Sequence, residues 1–267
     1  MKKTKFIFTA LGLLALTVIS CTKDEEKQTD TNAVVASAYI DSVNELDVKE
    51  GNKVSYDLAN KNKSTLAANL TCGTLTTEST AFPRTYYLDF GTGCTTNNIT
   101  RAGKLKITLS NYVTEIGSTM TVERENYYVN GNKVEGKITY VNTTTNQSIP
   151  QWTRTVTNGI FTDTNGRVYQ NSGTTTVKQT AGVSTLTLDD NTYELITGTH
   201  NLTNQNNQQL TLTIVSPLVK MHTCDYVSKG QVSVSSTEWN GIIDYGNNEC
   251  DNLGTYTQNG NVFPFSM

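Results

Sequence analysis

The chain has 267 residues, 21 Lys+Arg against 24 Asp+Glu, a formal net charge of −3 and only two histidines. That acidic balance is unsuited to phosphate backbones or anionic lipid heads, so no nucleic-acid partner is expected. A His-Glu-x-x-His zinc helix, a Gly-x-Ser-x-Gly elbow and a Gly-rich phosphate loop are all missing, which argues against the enzyme classes built on them.

The first element is a leader. Lys2, Lys3 and Lys5 supply a positive start, and an apolar run of 14 residues follows from Phe6 to Ile19. That length suits a signal-peptide core and falls short of the roughly 18–20 residues that a permanent bilayer span requires. Val18-Ile19-Ser20-Cys21 resembles the bacterial lipobox. Branched residues lead to a small residue, which lets a peptidase approach the backbone, and then to a cysteine whose thiol takes a diacylglyceryl group. Residues 1–20 are therefore read as a signal peptide, and Cys21 as the lipidated first residue of the mature protein. Several acyl chains on Cys21 would hold the protein in outer-membrane lipid, where one chain binds only marginally. Removing the leader takes away three lysines and no acids, so the net charge becomes −6.

Residues 21–32 are polar, charged and non-periodic, the composition of a disordered tether. Inside it, Lys23, Asp24, Glu25 and Glu26 resemble the surface-export signal of Bacteroidetes lipoproteins, a lysine followed by acids just behind the lipid; the plainer reading is a solvated tether. From residue 33 the pattern changes. Val35, Ala38, Tyr39, Val43 and Leu46 recur at helical spacing, and Thr31 or Asn32 is placed to cap them, which predicts a helix over 33–50. Asp41-Ser42-Val43 matches a short O-glycosylation motif of exported Bacteroidetes proteins and makes Ser42 a candidate acceptor.

Residues 51–267 read as a single all-β domain. Leu105, Ile107 and Leu109 alternate with Lys104, Lys106 and Thr108, and Met120 and Val122 alternate with Thr119, Thr121 and Glu123. Leu210, Leu212 and Ile214, then Val232 and Val234, repeat the pattern. Period-two alternation places one face in a core and the other in water, as antiparallel sheets do. Asn130-Gly131 and Asn165-Gly166 carry the residues that tight hairpins need. In Tyr86-Tyr87 and Tyr127-Tyr128 one ring must face inward and the other outward. The expected fold is an antiparallel meander of a dozen or more strands, curled into a sandwich or half-barrel. The helix packs on it or caps an open end.

After Cys21, four cysteines remain: Cys72, Cys94, Cys224 and Cys250. An even number in an oxidising compartment reads as two disulfides with three possible connectivities. Segments 72–107 and 224–265 share an order: Cys, a strand, Asp-aromatic-Gly (Asp89-Phe90-Gly91 and Asp244-Tyr245-Gly246), Cys, a Gly turn, a further strand. If they are an internal duplication, each carries its own bridge, which selects Cys72–Cys94 and Cys224–Cys250.

A wider resemblance rests on Phe82-Pro83-Arg84 and the run from Leu88 to Cys94. Tyr127 to Gly136, Ser216-Pro217-Leu218-Val219-Lys220, Ile243 to Gly246 and Cys250-Asp251-Asn252 extend it. These stretches resemble a group of Bacteroidetes surface lipoproteins of uncharacterised function. The resemblance runs from about residue 33 to the end and is weakest over 143–185. It implies lineage, export and fold, and it brings no catalytic residue.

His200 and His222 lie in strand-like stretches and are read as polar residues facing water. Asp244, Glu249 and Asp251 surround Cys250 and are weak Ca²⁺ candidates, although they keep no recognised loop spacing and acids in turns are ordinary. The other carboxylates sit mainly in turn-like stretches. No catalytic residue, cofactor or metal is assigned. The expected function is a non-enzymatic, cell-surface binding or structural accessory with an unknown ligand or protein partner. Its rivals are a carrier enclosing an apolar ligand and a hydrolase without a sequence signature. A dry apolar cavity favours the carrier, carboxylates clustered in a cleft favour the hydrolase, and a flat aromatic strip or no pocket favours the accessory.

Overall fold

The computed structural model describes residues 30–60 and 72–267. One helix, α1 (Thr31–Asn60), precedes fourteen strands. They are β1 (Thr74–Thr77), β2 (Arg84–Asp89), β3 (Cys94–Thr96), β4 (Ile99–Leu109), β5 (Thr119–Val129), β6 (Asn132–Asn142) and β7 (Gln151–Thr162). Then come β8 (Val168–Ala181), β9 (Thr192–Asn204), β10 (Gln209–Met221), β11 (Lys229–Ser235), β12 (Asn240–Asn247), β13 (Leu253–Gln258) and β14 (Asn261–Ser266). All belong to one antiparallel sheet that follows chain order from β1 to β14, with β3 set aside as a third partner of β4, beside β2 and β5. The fold is thus an unclosed, curled meander and not a sandwich.

Alternation works as expected. Leu105, Ile107, Leu109, Met120, Val122 and Ile138 are almost wholly buried, and Tyr86 and Tyr127 turn inward while Tyr87 and Tyr128 stay partly exposed. Asn130 and Gly131 both take positive φ in the β5–β6 turn. At the β7–β8 turn only Gly166 does, and the Asp163 carboxylate organises the rest by accepting the Asn165 and Arg167 backbone N–H groups.

The curl has a local cause. Register shifts cross the sheet from strand to strand, at Ala102/Lys104, Glu123/Tyr127, Glu135/Lys137, Val156/Gly159, Thr213/Leu218 and Lys229/Gln231. Each bulge bends its strand and sharpens the local twist. At Gly103 (φ +78°) the neighbouring backbone presses so close that a Cβ would meet the Asn126 carbonyl oxygen at 1.9 Å. Only glycine fits there.

The helix packs on the sheet from inside the curl and caps no end, with contacts to strands as far apart as β4 and β12. It begins on Asp30, not Thr31 or Asn32: Asp30 accepts the Ala33 N–H at 3.1 Å and also the Asn204 side-chain amide at 2.9 Å. It also continues ten residues past the expected end at residue 50. Gly51 is no terminator; α1 passes β5 so closely there that a Cβ would lie 2.3 Å from the Met120 sulfur.

Two disulfides pair Cys72 with Cys94 and Cys224 with Cys250, at Cα separations of 5.8 and 5.1 Å. The two units match in detail. Phe90 and Tyr245 are both buried, and Asp89 and Asp244 each accept the N–H of the glycine two residues on, at 2.8 and 2.9 Å.

Candidate functional site

Because α1 lies inside the sheet, its acidic residues enter the core. Asp41, Glu45, Asp47 and Glu50 are all buried. An isolated buried carboxylate costs several kcal/mol, so each needs a cation or strong donors. The sheet provides them. Glu50 meets Arg101 at 2.8 Å, and Asp47 meets Arg124 at 2.7 Å and the Tyr127 hydroxyl at 2.7 Å. Glu45 pairs with Arg154, whose guanidinium also reaches Asp41 at 3.7 Å, and Tyr245 donates to Asp41 at 3.1 Å. Burial pushes the Asp47 carboxyl up, while the Arg124 guanidinium and Tyr127 hydroxyl pull it back. These carboxylates hold the helix in place. They are not in turn-like stretches, as expected of the acids in general.

The histidines do not face water freely either. His200 on β9 turns inward toward Asp41, Nδ1 to Oδ1 3.6 Å, and burial lowers its pKa. His222, just beyond β10, is buried, and burial with nearby Lys49 and Lys220 pushes it down to about 4. Lys220 on β10 is 3% exposed and donates to the Met221 and Cys224 carbonyls. Burial, reinforced by Lys49, brings its amine down to about 7. With Glu45, Lys49, Asn52, Tyr140 and Tyr193, Lys220 and His222 line a small chamber of about 10 Å³, at the limit of one water.

Asn52 and Tyr193 are also walls of a larger cavity of about 270 Å³ where the C-terminal half of α1 leaves the curl. Ser55 and Tyr56 of α1, Val113 and Thr114 of the β4–β5 loop, Trp152, Gln179 and Asn191 contribute to it, and the 182–188 loop lies over it. The aromatic wall is rigid: Trp152 stacks on Tyr140 with centroids 5.6 Å apart and donates its indole N–H to the Val113 carbonyl at 3.0 Å. The Ser55 hydroxyl accepts the Val113 N–H at 2.8 Å, fixing that loop to the helix. Two acceptors in this lining, Asn52 Oδ1 and Asn191 Oδ1, are buried without a hydrogen-bond partner.

The residues singled out from sequence lie elsewhere. Cys21 and Lys23, Asp24, Glu25 and Glu26 lie outside the described residues. Ser42 is 2% exposed with its hydroxyl 3.1 Å from the Met267 sulfur, so the folded chain has no room for a glycan there. Asp244 accepts from Gly246 and from Gln231, Asp251 accepts the Leu253 N–H, and Glu249 is exposed. Each aspartate organises a turn, and among the described residues no three His, Cys, Asp or Glu gather as a metal site. Among the described residues no helix is long and apolar enough to cross a membrane. The cavity was missed because its residues come from six segments, and none carries a motif. No protein-family model matches the chain, and no match emerges among curated proteins or solved structures.

Proposed function

We propose that the chain is a non-enzymatic binding accessory, anchored in outer-membrane lipid through Cys21 and turned to the cell surface by Lys23, Asp24, Glu25 and Glu26. The observation that carries this reading is the division of the interior. Asp41, Glu45, Asp47 and Glu50 are bound to arginines in the core, while the described residues that line the cavity at the helix exit are neutral. General acid–base or nucleophilic chemistry needs a titratable group at the substrate. Binding needs only shape and hydrogen bonds. The same arrangement weakens the carrier alternative, because an apolar ligand inside the curl would have to displace a helix held by ion pairs.

The test has two parts. The mature lipidated protein, offered glycan, ester and peptide panels, is expected to give no turnover above background. Turnover abolished by changing one acidic residue or histidine would promote the hydrolase. Protease added to intact cells is expected to remove the protein, and alanine at residues 23–26 to protect it. Equal digestion of both forms would reduce that segment to a tether.

A further inference from the structure

We infer that the cavity at the helix exit takes a small, neutral, hydroxyl-rich ligand of sugar size. The inference rests on the binding-accessory reading and names the chemistry of its ligand. Among the described residues the lining holds no Asp, Glu, Lys, Arg or His, although Glu45, Lys49, Lys220 and His222 lie just behind its shared wall of Asn52 and Tyr193. An ionic ligand would find no counter-charge in that lining. A purely apolar one would take water from a lining that carries the polar side chains of Asn52, Ser55, Gln179 and Asn191, which is costly.

The unpartnered atoms specify more. Asn191 is 6% exposed, and its Nδ2 is held by the Tyr193 hydroxyl at 3.0 Å, which leaves Oδ1 as the free end of the amide. Asn52 Oδ1 is likewise buried and unpaired. A buried acceptor left without a donor is costly, so both amides gain by turning toward a ligand that brings O–H groups. Beside these acceptors stand Trp152, Tyr193 and Tyr56, against which the C–H faces of a sugar ring can pack. At about 270 Å³ the cavity lies just under the roughly 300–1,000 Å³ of drug-sized sites, room for a small ligand. The overlying loop is tied to α1 by the Tyr56 hydroxyl donating to the Leu186 carbonyl, so releasing one hydrogen bond frees its tip.

A free monosaccharide and the end of a longer glycan share this chemistry, and calorimetric titration of the mature lipidated protein in detergent separates them. The probes are glucose, galactose, mannose and N-acetylglucosamine, then maltotriose and chitotriose, with glucuronate and decanoate as charged and apolar controls. Saturable binding of at least one neutral sugar is expected, weakened at least ten-fold by Asn52→Leu. Thr114→Trp, an exposed rim position whose enlargement fills the cavity without touching the core, should weaken it equally, with circular dichroism showing that both variants are folded. Tighter binding of a trisaccharide supports a chain end, and tighter binding of a monosaccharide supports a free sugar. No saturable binding by any neutral sugar, preference for glucuronate or decanoate, or indifference to Thr114→Trp overturns the assignment. Product released from a bound trisaccharide would support the ligand class while overturning the non-enzymatic reading.

Discussion

Arg124 has 1% of its side chain exposed and is held by Asp47 at 2.7 Å and the Asn44 amide oxygen at 2.8 Å. For such a pair the desolvation of both charges rivals their attraction, so deleting one partner and replacing both have different consequences. Arg124→Met strands the Asp47 charge, and urea unfolding should show a loss of about 3–5 kcal/mol. The double variant Asp47→Leu/Arg124→Met should lose far less; an equal loss in both would mean that the pair contributes net attraction beyond its desolvation. A trace of this arrangement is visible in the sequence. Arg124 falls in phase with Met120 and Val122, and Arg154 in phase with Trp152 and Val156, positions that alternation assigns to the core. What a single strand cannot name is the partner. Asp47 lies 77 residues before Arg124, and Glu45 lies 109 before Arg154, both on a helix whose acids look like an ordinary wet face.

The strands were legible because each needs only its own alternation, and the hairpins because Asn-Gly marks them. The curl was expected too, but the helix length and the bulges that produce the curl were not legible, because both depend on contacts between distant segments. Gly51 sits inside the helix where Met120 lies against it, and Gly103 sits at a bulge where the Asn126 backbone lies across from it. The curl gives Gly103 a measurable signature. Gly103→Ala must adopt φ +78° and also push its Cβ away from the Asn126 carbonyl oxygen, so it should destabilise by well over about 1 kcal/mol. Gly260, at φ +79° in the β13–β14 turn, has open space around a new Cβ, so Gly260→Ala incurs the backbone strain alone. Chemical denaturation of the two variants should rank Gly103→Ala clearly lower. If both lose the same amount, cross-strand pressure is not what keeps glycine at the bulge.

The two disulfide-bearing units stand near opposite ends of the meander, yet they meet around the helix. Asp225, next to Cys224, accepts from Asn97 at 3.0 Å in the β3–β4 turn and binds Lys49 of α1 at 2.9 Å. The sheet therefore closes on its helix through polar contacts without closing its own hydrogen-bond ladder, and buried titratable groups become part of its stability. Lys220, beside Lys49, Glu45 and Asp225, has its amine lowered by burial from 10.5 to about 7. Between those values the unfolded chain holds a proton that the folded one lacks, so stability rises with pH. His222, lowered from 6.5 to about 4, acts with the same sign at more acidic pH, and His200 shifts in the same direction. Buried Tyr193 and Tyr169, raised from 10.0 to about 12, act oppositely: above about pH 10 the unfolded chain loses protons that the folded one keeps, and stability falls. Thermal melts followed by circular dichroism should therefore show Tm climbing from about pH 4 to about pH 10 and then declining. Lys220→Met should flatten the segment between pH 7 and 10 while leaving the climb below it, because the histidines are untouched. An unchanged climb in that variant would remove Lys220 from the account and place the proton uptake elsewhere in the core.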